Sequence, residues 1–325
     1  MSVPQITIGI TCFAEKDWVK ECWKSVLNQT SDSWNAVIIV DGGGDEETLA
    51  VVKELEHPKL TKYIFEKNVG PYAARNKAFE LTTCPFHFYL DGDDALPPDA
   101  VQNVLDQFAQ HPEAAYIYGD YEVFGDVSRK MEMMVPQSDN DWAETQCAPG
   151  ACAYSTKVWE DVGGFYTGWL AGGDGDYDYH LTLLDHGHQG IHCGKTIYRY
   201  RNHQNGRVSS QGLDKMYESY QTMITRHAPF FSTDWRQGTF LARGFETSLL
   251  SLIAQERFED AKSLASHALN HRNLLSYISN GHVKRLALAL TLLPVFTANA
   301  VGKIFGWWTG EHLIKRIPQI DRGKF

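Results

Sequence analysis

The chain has 325 residues, 43% of them apolar and 22% charged, which suits one large catalytic domain with an appendage, or two domains, and excludes a chain dominated by disorder. Its net charge of -10 argues against a general nucleic-acid binder, which needs Lys and Arg clustered over a wide face. The charge is uneven: from Gly281 to Phe325 seven Lys or Arg stand against Glu311 and Asp321, a net of +5 that leaves -15 on the rest.

In chain order, β-branched runs alternate with helical patterns, the signature of a mostly parallel sheet covered by helices. Ile6 to Thr11 reads as a strand, Trp18 to Asn28 as a helix, Asn35 to Val40 as a strand and Glu46 to Glu56 as a helix. Lys62 to Glu66 is a short strand, Ala73 to Leu81 a helix, Phe86 to Leu90 an apolar strand and Pro98 to Gln110 a helix. Ala115 to Val123 reads as a further strand, Asp139 to Pro149 as a loop, and Gly150 to Tyr154 as a short strand before the glycine-rich Gly163 to Gly175. From Leu213 onward the pattern is helical, so a boundary is expected near Ser210, with 1–210 as one region and 211–325 as a helical C-terminal region.

Leu286 to Val301 is strongly apolar, but Pro294 interrupts it and the run falls short of the ~20 residues that a spanning helix needs. Lys284 and Arg285 precede it, and Lys303, Trp307, Trp308, Lys315 and Arg316 follow. That mixture suits peripheral membrane contact through 281–325; the other reading is a helix packed on protein. Six scattered cysteines without a CxxC pair, and an N-terminus unlike a signal peptide, point to a cytoplasmic protein, at the inner face of the membrane if that contact is made.

Ligands of open α/β sheets bind beyond the carboxyl ends of the strands, and three such ends here are polar: Thr11 to Glu15, Asp41 to Asp45 and Asp91 to Asp94. The third, in FHFYLDGDDALPPDA, puts three carboxylates after an apolar strand, where their repulsion is costly unless a cation relieves it. Mn2+ or Mg2+ accepts carboxylate oxygens together with substrate phosphate oxygens. The plainer reading is an acidic turn capping the helix that follows.

With its neighbours, this cluster resembles the family 2 glycosyltransferases over about Ile6 to Ser210. The opening ITIGITCFAEKDWVKECWKSVLNQT, the strand end VDGGGDEET, NVGPYAARNKAFE, the DGDD loop, GGFYTGWLAGGDGDYDYHLTLLDHG and YRYRNHQNGRVS follow the family's order. The resemblance implies a GT-A fold: a Rossmann-like α/β domain whose mostly parallel sheet is flanked by helices, here with the helical C-terminal region. Residues 1–110 would form the nucleotide-sugar-binding half and 111–210 the acceptor-binding half.

It also implies roles. Thr11, Phe13 and Glu15 are expected at the nucleoside, and Asp41 at the base, typically uracil, although Gly42 replaces the family's second Asp. Arg75 and Asn76 are expected near the nucleotide or the acidic loop, Asp91 at the ribose or metal, Gly92 at the donor nucleotide, Asp93 with His203 on the metal, and Asp94 as a supporting hydrogen-bond acceptor. Arg199, Arg201 and Arg207 are candidates for the diphosphate. Asp176 aligns with the acid that takes a proton from the acceptor hydroxyl; Gly175 holds the usual Glu position, which leaves Asp174 as the alternative. Asp178 is expected to be structural, while Trp169 and Tyr177 would stack on acceptor sugars.

The implied activity is inverting transfer from a nucleotide-diphosphate sugar, a UDP-sugar by the family's habit, to a glycan or glycolipid, in bacterial surface polysaccharide synthesis. Gly42 and Gly175 motivate a non-catalytic sugar or nucleotide binder as the rival, and a nucleotidyltransferase is a weaker third reading.

Overall fold

The computed structural model describes residues 5–16, 18–203, 212–270, 274–279 and 281–292. The chain divides into two compact units: Met1–Gln137, Gln146–Gly168 and Gly175–His203 form the first, and Ser138–Thr145, Trp169–Asp174 and the described residues after 203 the second.

The first half runs β1 (Ile6–Cys12), α1 (Val19–Leu27), β2 (Trp34–Val40), α2 (Glu46–Glu54), β3 (Leu60–Ile64), α3 (Pro71–Glu80), β4 (Phe86–Asp91) and α4 (Ala100–Gln110). Then come β5 (Tyr116–Gly125), β6 (Arg129–Met131), α5 (Asp141–Glu144), β7 (Ala153–Ser155), α6 (Thr156–Val162), α7 (Gly175–Asp185) and β8 (Gly190–Asn202). The described residues form one eight-stranded sheet in the order β3-β2-β1-β4-β7-β5-β6, with β8 also paired to β5. Pairs β1·β2, β1·β4, β2·β3 and β5·β8 are parallel, whereas β7 is antiparallel to both β4 and β5.

Every residue of β1 is buried, Thr7 and Thr11 included, as befits a central strand paired on both edges. On α3, Ala74 and Ala78 lie one turn apart and pack with Val37 and Ile39 of β2. The parallel register sets Thr11 opposite both Ile39 and Asp91, so the carboxyl ends of β2, β1 and β4 come out together. An antiparallel bridge between Ala95 and Arg199 ties the loop after β4 to β8.

Two segments differ from expectation. β8 carries Gly, Lys and Arg among its apolar residues, which masks its alternation; its long pairing with β5 supplies what propensity lacks. The stretch 139–149 contains α5, where Trp142 and Ala143 are buried and Arg243 donates to the Ala143 carbonyl.

The second unit adds α8 (Met216–Arg226), α9 (Asp234–Ala254), α10 (Phe258–Asn270), α11 (Leu274–Tyr277) and α12 (Gly281–Leu292). Thr233 caps α9 by accepting from the Arg236 amide. Its core joins Phe245, Leu249, Leu252 and Ile253 of α9 to Ala261 and Ala265 of α10. Val283, Leu286, Ala287 and Leu290 of α12 complete it at helical spacing. In the apolar Leu286–Val301 run, Leu286, Ala287 and Leu290 are therefore protein core while Leu288 is exposed; residues after 292 lie outside the described residues. No described helix is long and apolar enough to cross a membrane.

Candidate active site

At the carboxyl ends of β1 and β4, the Thr11 hydroxyl donates to Asp91 at 3.1 Å, as the register predicts. Beside them Gly92 packs so tightly that a Cβ would sit 2.6 Å from the Cys12 sulfur. Phe13 and Ala14 donate their amides to the Glu15 carboxylate, which folds back on its own loop. Burial pushes Glu15 up to about 7 against the pull of the Phe13 amide, with Asp93 adding a further upward push.

Asp41 ends β2 and accepts from the amides of Val69 at 2.7 Å and Gly70 at 3.0 Å, so both its oxygens anchor the turn before α3. Gly42 departs from the family pattern for a steric reason. A Cβ there would lie 2.4 Å from the Lys67 nitrogen and 2.5 Å from the Phe65 oxygen.

The acidic loop splits its carboxylates. Asp94 is buried and accepts from the Tyr198 hydroxyl and, at 2.6 Å, from the Arg201 amide. Burial first, then Asp93 and Asp91, push Asp94 well above the usual carboxylate range. Asp93 stays partly open and meets His203 Nε2 at 3.0 Å. Trp18, absent from the sequence expectations, lays its ring against the His203 imidazole at 4.0 Å between centroids.

Arg201, one of three candidates for the diphosphate, donates from Nε to the Asp93 carbonyl at 2.6 Å and from Nη2 to Glu21 of α1 at 2.5 Å. Arg199 pairs with Glu122 at 3.4 Å, and both guanidinium groups lie over Phe124 because alternate residues of β8 share a face. Arg207 lies outside the described residues.

Arg75 is the centre of the second group. Its buried guanidinium donates to Asp176 through Nη1, lies 3.4 Å from Asp91 through Nη2 and covers the Tyr89 ring at 3.9 Å. Burial opposes its charge, but Asp176, Tyr89 and Asp91 outweigh that penalty and hold it charged beyond the ordinary guanidinium range. Asp176 is pushed up to about 6, chiefly by burial, with Arg75 pulling it down and Asp91 pushing it up. The resemblance left Arg75 between nucleotide and acidic loop; the guanidinium faces the loop and Asp176.

The Asn76 amide donates to the Phe165 carbonyl at 2.9 Å, and its oxygen accepts the Phe165 amide at 2.8 Å. Tyr177 was expected on an acceptor sugar, yet it is wholly buried with Leu181 one turn on, and so presents no ring face. Asp178 is also fully buried, as a structural residue should be. Asp174 and Trp169 belong to the second unit. Asp174 is buried, whereas Trp169 is 61% exposed with the Lys215 ammonium 5.7 Å over its ring.

Among the described residues no group of three or more His, Cys, Asp or Glu is arranged to hold a metal alone. One carboxylate and one imidazole, Asp93 and His203, nevertheless suit Mn2+ or Mg2+ when phosphate oxygens fill the remaining positions.

Comparisons with known proteins bear on family and fold. Residues 7–163 match the family described as glycosyl transferase family 2. Chondroitin synthase of Escherichia coli is 35% identical over 118 residues, 36% of this chain but only 17% of that protein, so the chain matches a small part of that relative's length. S. aureus TarS 1-349, solved in complex with UDP-GlcNAc, superimposes with a TM-score of 0.67 at 13% identity, covering 94% of this chain and 92% of that one. The mannosyltransferase PcManGT of Pyrobaculum calidifontis, in complex with GDP-Man and Mn2+, gives 0.56 at 14% identity over 96% and 89%. At such identities these structures establish the fold, which is GT-A. Over residues 7–163, just under half of the chain, the sequence is thus similar to glycosyl transferase family 2, and the whole described chain shares the GT-A fold.

Proposed function

We propose that the protein is an inverting glycosyltransferase that moves a sugar from a nucleoside-diphosphate donor, a UDP-sugar, to a hydroxyl of a glycan or glycolipid in surface polysaccharide synthesis. The observation that carries this reading is the single guanidinium of Arg75 shared by Asp91 of the acidic strand end and Asp176 at the start of α7. One residue of the donor side and one carboxylate suited to the acceptor side are thereby held in one frame.

Asp93 and His203 would hold Mn2+ or Mg2+ with the diphosphate, and the ion would offset the charge that develops as nucleoside diphosphate departs. Asp176 accepts the proton of the acceptor hydroxyl as its oxygen attacks the anomeric carbon from the face opposite the diphosphate, which inverts that carbon. The complexes of TarS with UDP-GlcNAc and of PcManGT with GDP-Man and Mn2+ support a nucleotide-sugar and a divalent ion as the ligands to try first. The two glycines that motivated a non-catalytic rival both stand where another group fills the space, the 65–67 backbone at Gly42 and the Tyr72 ring at Gly175.

The test is a panel of nucleotide-sugars assayed for nucleoside-diphosphate release with Mn2+ and Mg2+. Release that depends on the metal and falls at least about hundredfold in Asp93→Ala is the expected outcome. An Asp93→Ala protein with full, metal-independent transfer would sink the scheme, and pyrophosphate as product would identify a nucleotidyltransferase.

A further inference from the structure

Tyr72 sits at the second position of α3, three residues before Arg75 and hence on the same face of the helix. Its hydroxyl accepts the amide of Gly175, the first residue of α7, at 2.9 Å in a buried setting. Its ring fills the volume that a side chain at 175 would take: a Cβ there would lie 2.2 Å from Tyr72 Cζ and 2.5 Å from both neighbouring ring carbons. The same ring carries the Arg75 guanidinium at 5.0 Å and stacks with Phe165 at 6.1 Å, the residue that Asn76 clasps. On the far side of Asp176, the backbone at Gly150 closes in: a Cβ there would sit 2.2 Å from Asp176 Oδ2.

We propose that Tyr72 is a positioning residue for Asp176, fixing the first turn of α7 through the Gly175 amide and the orientation of Arg75 through its ring. The proposal rests on the transferase reading for the role of Asp176, though not for the geometry. An amide at the first turn of a helix has no partner within the helix, so the Tyr72 hydroxyl satisfies a buried donor one residue before the carboxylate it serves. Arg75 is thus set by two carboxylates and by two rings, Tyr72 and Tyr89. Tyr72 itself touches no reacting atom in this arrangement. It acts through α7 and Arg75.

Tyr72→Phe removes the accepting oxygen while keeping the ring, so the variant separates aim from volume. The expected result is a fall in kcat of roughly tenfold to hundredfold with the donor KM unchanged, the signature of a slightly misplaced group. Carbon-13 NMR of the aspartate carboxyls follows Asp176 without reference to turnover. Its titration midpoint should move upward in Tyr72→Phe, because a loosened contact with Arg75 no longer favours the ionised form.

Gly175→Ala presses on the ring from the other side and should likewise lower kcat. Thermal unfolding identifies which variants are folded. Wild-type kcat and an unmoved Asp176 titration in Tyr72→Phe would overturn the proposal. If the wild-type protein turns over no nucleotide-sugar, the functional reading fails, while the titration still decides the role of Tyr72.

Discussion

Asp176 is the residue whose setting makes the sharpest demand on pH. A general base works only when ionised, and burial has raised this carboxyl to about 6. Turnover should therefore be full above that value and fall as pH drops through it, with the acidic limb of the kcat profile near 6; a limb near the ordinary aspartate range would contradict the assignment. Asp176→Asn keeps the shape and removes the base, so kcat should fall by roughly 10²–10⁴ while donor affinity, read by calorimetry, is retained. Asp91, Asp93, Asp176 and His203 were singled out in the chain because the motifs that hold them follow the order of the family it resembles. Tyr72, Tyr89, Trp18 and the structural use of Arg201 were not. Each acts through a neighbour far off in sequence, as when Trp18 meets His203 or Arg201 reaches Asp93. Helical spacing would have placed Tyr72 on the Arg75 face, but not against Gly175.

Among elements, α3 does the most. Its alanines grip β2, its Tyr72 and Arg75 brace α7, and its Asn76 clasps the backbone of Phe165. The loop after β2, whose Asp41 anchors the turn before α3, tolerates no side chain at residue 42. Gly42→Asp, the substitution that would restore the family's second acid, should force the 65–67 backbone aside and cost about 1–3 kcal/mol of stability, read as a lower melting temperature. Gly42 was visible in the sequence as a departure; the backbone that demands it was not, since that backbone belongs to the segment after β3. The early strands were legible because β-branched and aromatic residues dominate them, as in β1 and β4. β8 escaped notice because its partner β5, not its own composition, holds it in the sheet.

At the scale of the whole chain, the second unit is helical in its described residues after 203, and α9, α10, α11 and α12 share a core. Phe245 is fully buried in that core, so Phe245→Ala should lower stability by about 3–5 kcal/mol in chemical denaturation. The face of α12 made by Val283, Leu286, Ala287 and Leu290 is already used. Any attraction to anionic vesicles should then depend on 293–325, which holds Lys303, Trp307, Trp308, Lys315, Arg316, Arg322 and Lys324. Flotation with vesicles rich in anionic lipid should be lost when 293–325 is removed, and flotation that survives the deletion would place the contact elsewhere.

The bridge of Ala95 to Arg199 and the pair of Asp93 with His203 also set a timetable. Asp93 and His203 are 110 positions apart, and His203 follows directly on β8, the last strand of the sheet. Closing so long a span comes late in folding, because chain entropy must be overcome before the contact can reward it. During synthesis the first four strands and their helices emerge well before β8. A ribosome-bound chain stopped short of β8 would thus carry the acidic loop without its histidine, and competence for the reaction would arrive only when the final strand is in place.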